Sequence, residues 1–281
     1  MSHSQPYRSA VLLLVTALLC VPFSALEVIA SLQGNSGRSL TPLQLEIEKQ
    51  KDRLNSLEVE ERRDAISRLG ALHHPDASRA ALAGLKDSAA IVRVTAAGAV
   101  LYLPAEESTT FLLPLLNDKD EFVRQEVAYA LGKRGSRSAA AALGELLVRE
   151  KKDGVRGAII VALGDIGDES SVVTLAQVLR PQLTAPTAKK RSKKKENLLV
   201  LRAAAHSLGQ IGNRAAVPAL LAALRDQEEE NDVRREAATA LGLIGDKSAL
   251  AALNDLSSAD DPYLARAAFE ASRRISLNGN P

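Results

Sequence analysis

A ten-residue block recurs along this chain at near-constant spacing, and that recurrence limits the possible folds more than any other feature of the sequence. It reads Glu61-Arg-Arg-Asp-Ala-Ile-Ser-Arg-Leu-Gly70, Val123-Arg-Gln-Glu-Val-Ala-Tyr-Ala-Leu-Gly132, Val155-Arg-Gly-Ala-Ile-Ile-Val-Ala-Leu-Gly164 and Val233-Arg-Arg-Glu-Ala-Ala-Thr-Ala-Leu-Gly242. Weaker copies begin at Val92, Val200 and Leu264. Starts at 61, 92, 123, 155, 200, 233 and 264 are 31 to 33 residues apart, except for one interval of 45. A period in this range is the mark of a stacked repeat array, in which each unit buries its apolar face only against its neighbours.

Within each block the apolar residues fall at the first, fifth, eighth and ninth places, which share one face of an α-helix. After four of the blocks comes Gly-x-x-Gly followed by Ser136, Asp168, Asn213 or Asp246. The second Gly suits the left-handed residue that ends a helix, and the polar residue after it suits the cap of the next. A second helix, apolar on one side, then completes a hairpin. The sequence therefore predicts an all-α, right-handed α-solenoid of about seven helical hairpins, near 42–71, 76–101, 105–132, 136–164, 168–209, 213–242 and 246–275. Composition agrees: 46% of the 281 residues are hydrophobic, aromatics are 3% and Trp is absent. Such a chain packs helices closely through Ala and Leu and lacks the branched and aromatic pairs of a sandwich. Thr41-Pro42-Leu43-Gln44 reads as the capped start of the first helix.

Ahead of the array, Arg8, the apolar run Val11–Val21 and the small residues before Ser31 have the order of a secretory signal, with cleavage expected near Ala30. The uncharged span Ser9–Leu26, 18 residues long, is the alternative: a retained membrane anchor. Residues 31–40 read as a linker and 41–277 as the solenoid, with a basic insertion at 181–196. The expected location is exported, periplasmic or secreted. Cys20, the one cysteine, falls in the apolar run, so the solenoid has no disulfide, thiol nucleophile or cysteine-ligated metal.

The consensus Val-Arg-x-x-Ala-x-x-Ala-Leu-Gly-x-x-Gly-Asp resembles the HEAT-like repeats of the phycobilisome lyases over nearly all of the chain after its N-terminal segment. The resemblance implies a HEAT/armadillo-like superhelix and leaves function open, because such repeats occur in lyases, a hydroxylase and adaptors. It also implies that the second-place Arg62, Arg93, Arg124, Arg156 and Arg234 form a structural ladder with acids of the preceding loops. Asp87 and Asp118 each lie six residues before an Arg. In the fifth and seventh units the aligned residue is Leu201 or Ala265, so either the register slips or the ladder breaks.

Deoxyhypusine hydroxylase, similar in repeat architecture, holds two irons through His-Glu pairs. This sequence has His3, His73, His74 and His206, none followed by Glu. His73-His74-Pro75-Asp76 falls in a turn and lacks a third ligand. No phosphate loop or nucleophile elbow is present, and no cofactor or catalytic residue is expected.

The binding candidates are cationic. The net charge is only +2, so any such field is local. Lys189, Lys190, Arg191, Lys193, Lys194 and Lys195 make the stretched interval a basic loop suited to anionic lipid, cell-wall polymer or an acidic protein face; nucleic acid fits less well in an exported chain. It occupies the same type of connection as the acidic run 226–232, one unit later. The third-place Arg202, Arg235 and Arg266 would line up as a basic stripe. The function these features support is a non-catalytic exported scaffold that binds a protein or anionic polymer. The alternative is an enzyme of the lyase or hydroxylase type.

Overall fold

The structure, a computed structural model, describes residues 40–179, 196–226 and 230–278. By its contacts the chain divides into a segment ending at Glu46 and a body from Ile47 to Pro281. In the first segment, Thr41 and Gln44 form the predicted capping box. The Thr41 amide donates to Gln44 Oε1 at 2.9 Å and the Gln44 amide to Thr41 Oγ1 at 3.2 Å.

Fourteen α-helices occur among the described residues, and no strand. They are α1 Pro42–Arg53, α2 Val59–Ala71, α3 Pro75–Ala81, α4 Ala90–Ala99, α5 Ala105–Leu112, α6 Glu121–Arg134 and α7 Ala140–Arg149. Then follow α8 Asp153–Ile166, α9 Val172–Leu179, α10 Leu198–Ile211, α11 Val217–Arg225, α12 Asn231–Ile244, α13 Leu250–Asp255 and α14 Pro262–Asn278. The recurring block lies on every even-numbered helix. Successive even helices pack against one another along the array, and each odd helix from α3 onward packs on the even helix that follows it. This is the predicted all-α solenoid of seven hairpins.

The core follows the block pattern, with one extension. Val123, Val127, Ala130 and Leu131 occupy the first, fifth, eighth and ninth places and are buried, as is Ala128 at the sixth. The sixth place is covered because an even helix has an even neighbour on both sides, which widens the apolar stripe beyond that of a helix covered from one direction only.

Four even helices end on glycines with left-handed backbones: Gly135, Gly167, Gly212 and Gly245, at φ 64° to 76°. Asp168, Asn213 and Asp246 then cap the next turn by accepting from the amides of Ser170, Ala215 and Ser248 at 2.8 to 2.9 Å. Ser136 differs. Its hydroxyl donates to Glu106 Oε1 on α5 at 2.7 Å, because a carboxylate of the neighbouring unit outcompetes the local amide. Helices α8 and α10 pack directly, the Ser207 hydroxyl donating to the Ile160 carbonyl at 2.9 Å. The stretched interval therefore leaves the stack of even helices uninterrupted.

A candidate partner-binding face on the even helices

The second-place arginines join consecutive units. Arg62 grips Asp87 with Nε at 2.6 Å and Nη2 at 2.9 Å, and its Nη1 donates to the carbonyls of Ser56 and Leu57. Arg93 repeats this with Asp118 at 2.7 and 2.8 Å and with the carbonyls of Asp87 and Ser88. Arg124 reaches Glu150 at 2.8 Å and Arg156 reaches Glu196 at 2.5 Å. The acid thus comes from the loop of the following unit, not from the preceding loop as expected. At Arg62, Arg93 and Arg124 the preceding loop supplies backbone oxygens instead. The physical reason there is the shape of guanidinium: its Nη1 edge caps the loop behind while its Nε/Nη2 side meets a carboxylate ahead. Arg156 turns Nη1 itself to Glu196.

Among the described residues the arginine–carboxylate rungs run from Arg62 to Arg156. The amides of Arg62, Arg93, Arg124, Arg156, Leu201, Arg234 and Ala265 all donate to the carbonyl four residues back, at the helix cap. The register is therefore constant, and Leu201 and Ala265 stand at rung positions. Arg234 donates to the Leu224 carbonyl and to Asn231 Oδ1, and among the described residues it meets no carboxylate of the next loop.

These contacts set an acid limit on the fold. The hydrogen bond from Arg62 holds the Asp87 carboxyl below its usual range. Burial pushes Asp118 and Glu150 upward, but hydrogen bonds from Arg93, Arg124 and nearby amides prevail and both also lie low. A carboxyl whose folded pKa is depressed contributes stability that is complete above the unfolded value and is lost as pH falls through the folded one. Unfolded Asp and Glu titrate near about 4, so the urea midpoint of the native chain is expected to be level from pH 7 to about 5 and to fall below about 4. Asp118→Asn is expected to start lower and fall less over that range. Parallel curves for the two proteins would contradict this account.

The third-place arginines are partnered. Arg202 Nη1 lies 3.9 Å from Asp232, Arg235 bonds the same carboxylate, and Arg266 bonds Glu270 at 2.7 Å. Arg235 also sits over the Tyr263 ring, 5.5 Å from its centre. The stripe is thus interleaved with acids. Lys189, Lys190, Arg191, Lys193, Lys194 and Lys195 lie outside the described residues, as do the N-terminal segment 1–39 and Gln227, Glu228 and Glu229 of the acidic run. No helix among the described residues is long and apolar enough to cross a membrane.

The histidines act locally. His73 takes φ 51° and stacks on Tyr102 at 4.6 Å, while His74 Nδ1 accepts from the Asp76 amide and so caps α3. His206 Nδ1 and Glu236 Oε1 are 2.8 Å apart. Among the described residues no group of three His, Cys, Asp or Glu side chains could hold a metal ion.

Sequence reasoning passed over the middle of the even-helix face. Third and seventh places on α4, α6 and α8 hold Val94, Gly98, Gln125, Tyr129, Gly157 and Val161, all at least partly exposed and none charged. The flanking helices present Arg63 and Ser67 on one side and Arg202 and His206 on the other. The signal was available in the aligned blocks: three consecutive units lose charge at the same two places.

The family model for HEAT repeats matches residues 78–164, 109–184 and 185–273. The chain belongs to the HEAT-repeat family. No curated protein sequence matches it. Three solved structures resemble this HEAT-repeat protein at low identity. Human deoxyhypusine hydroxylase in complex with glycerol is 20% identical over 84% of this chain and 97% of its own, with a TM-score of 0.37. The complex of CpcE and CpcF of phycocyanin lyase from Nostoc sp. PCC7120 is 22% identical over 86% and 97%, with a TM-score of 0.47. An engineered protein of the Northeast Structural Genomics Consortium is 20% identical over 82% and 68%, with a TM-score of 0.52. The last of these likenesses supports the solenoid fold, and at such identity it speaks to fold alone.

Proposed function

We propose that this HEAT-repeat protein is a non-catalytic, exported scaffold that binds a protein partner on the exposed face of α4, α6 and α8. The observation that carries the reading is the run of uncharged third and seventh places just described, which spans three adjacent helices about 10 Å apart between flanks that carry Arg63 and Arg202. Interface centres are depleted in charge and enriched in aromatics such as Tyr129, while rims are polar. The non-catalytic part is supported by the side chains themselves, since His74 is engaged in a helix cap and His206 in a hydrogen-bond contact with Glu236. Export is supported by the order of residues 8–31.

Site-specific photo-crosslinking in the source cells tests this. A benzophenone side chain at position 129 is expected to give a discrete protein adduct recovered in the exported fraction. The same group at the exposed Val173 of α9 is expected to give none. Identical adducts from both positions, or none from either, would remove the face from the mechanism. An adduct confined to the cytoplasm would overturn export.

A further inference from the structure

Across the stack, the fourth place of one even helix lies against the seventh place of the even helix before it. On α12 and α10 that contact is Glu236 with His206, at 2.8 Å. The same contact recurs on α6 and α4 with the base removed. Glu126 of α6 stands beside Gly98 of α4, where an ideal Cβ would sit 3.5 Å from Glu126 Oε1. Among the described residues no hydrogen bond or ion pair reaches the Glu126 carboxylate, and it is half-buried. Burial raises its pKa.

A partly desolvated carboxylate without a donor is an unfavourable arrangement that a bound cation would relieve. The surroundings define which cation. By helical spacing Val94 lies one turn before Gly98 and Tyr129 one turn after Glu126, so an apolar stem and an aromatic face flank the charge. The absent side chain at Gly98 leaves the notch open. Guanidinium fits these conditions better than ammonium. It is less strongly hydrated, stacks on aromatic rings and offers a flat fork to a carboxylate.

We propose that the Glu126–Gly98 notch accepts the guanidinium of an arginine side chain presented by the protein partner, in the place that His206 takes against Glu236. The inference rests on the reading of this face as a protein-binding surface and names the residue type it reads.

Two substitutions isolate the notch. Glu126→Gln removes the charge. Gly98→His supplies the missing base from within, and at a helical glycine whose Cβ would make only ordinary contacts it leaves the fold intact. The probe is the peptide acetyl-Ala-Ala-Arg-Ala-Ala-amide, with citrulline in place of Arg as its neutral twin, titrated into the full chain and followed by amide chemical shifts. Saturable shifts at Gly98, Glu126 and Tyr129 are expected at millimolar peptide, with affinity at least tenfold weaker for the citrulline twin and for each variant. No saturable shift at those amides, or a smaller loss in any of the three comparisons, overturns the notch. Arginine binding that fails while the position-129 adduct persists sinks this inference alone. Arginine binding at the notch with no adduct leaves the notch standing and sinks the partner reading.

Discussion

Arg93→Ala is expected to lower the stability of the array by about 3 kcal/mol. The side chains of Arg93 and Asp118 are only 8% and 11% exposed, and the substitution removes four contacts at once. Two run to the carboxylate and two to the carbonyls of Asp87 and Ser88. Most of the loss comes from what stays behind, a buried carboxylate with its cation gone. The figure is at the lower end for a broken buried pair because the Asp118 carboxylate keeps the Asp120 amide, at 2.9 Å. Arg234→Ala is the matched comparison. That arginine bonds a carbonyl and an amide oxygen only, so its loss is expected to cost about 1 kcal/mol. Urea midpoints of the two variants measure the difference, and equal losses would show that the carboxylate adds nothing to the rung.

Gly209→Val is expected to destabilise by more than about 3 kcal/mol, and Gly209→Ala by about 1 to 3. A Cβ at Gly209 would lie 2.7 Å from both Cα and Cβ of Ala240 on α12. Neither atom can turn aside, since one is backbone and the other is bonded to it, so the two helices must separate. Separation opens gaps along the whole contact and forfeits dispersion on every turn. Gly144→Ala in α7 is the control. Nothing lies within 4 Å of a Cβ there, and relief of glycine's unfolded-state entropy is expected to stabilise by about 0.5 to 1 kcal/mol. Thermal unfolding of the three variants separates steric from propensity effects. Destabilisation by Gly144→Ala equal to that by Gly209→Ala would defeat the steric account.

The units were legible in the sequence because their determinants are local. Apolar spacing fixes each helix face, and the glycine and cap residues that end one helix and start the next lie within five residues of each other. Partner choice across units was not local, and there the sequence misled. Asp87 lies six residues before Arg93 and 25 after Arg62; nearness along the chain favoured the first pairing, and guanidinium geometry selects the second. Leu201 and Ala265 leave two possibilities open in the sequence, and the caps of α10 and α14 by Asn197 and Asp261, at the same offset as elsewhere, select the constant register. The face was half legible. Its loss of charge at the third and seventh places shows in the aligned blocks, but the fourth-to-seventh contact that joins Glu126 to Gly98, 28 residues apart, depends on how their two helices are offset along their axes.

The turns between units have a consequence for how the array changes size. Gly167 closes α8 with its own amide on the Leu163 carbonyl, and Asp168 opens the next helix with its own carboxylate. A unit cut at such a joint carries both of its ends with it. Duplication or loss of one whole unit therefore strands few polar groups, and a new rung needs only an acid in the incoming loop. Length can drift by whole units over generations while the geometry of each joint is inherited unchanged.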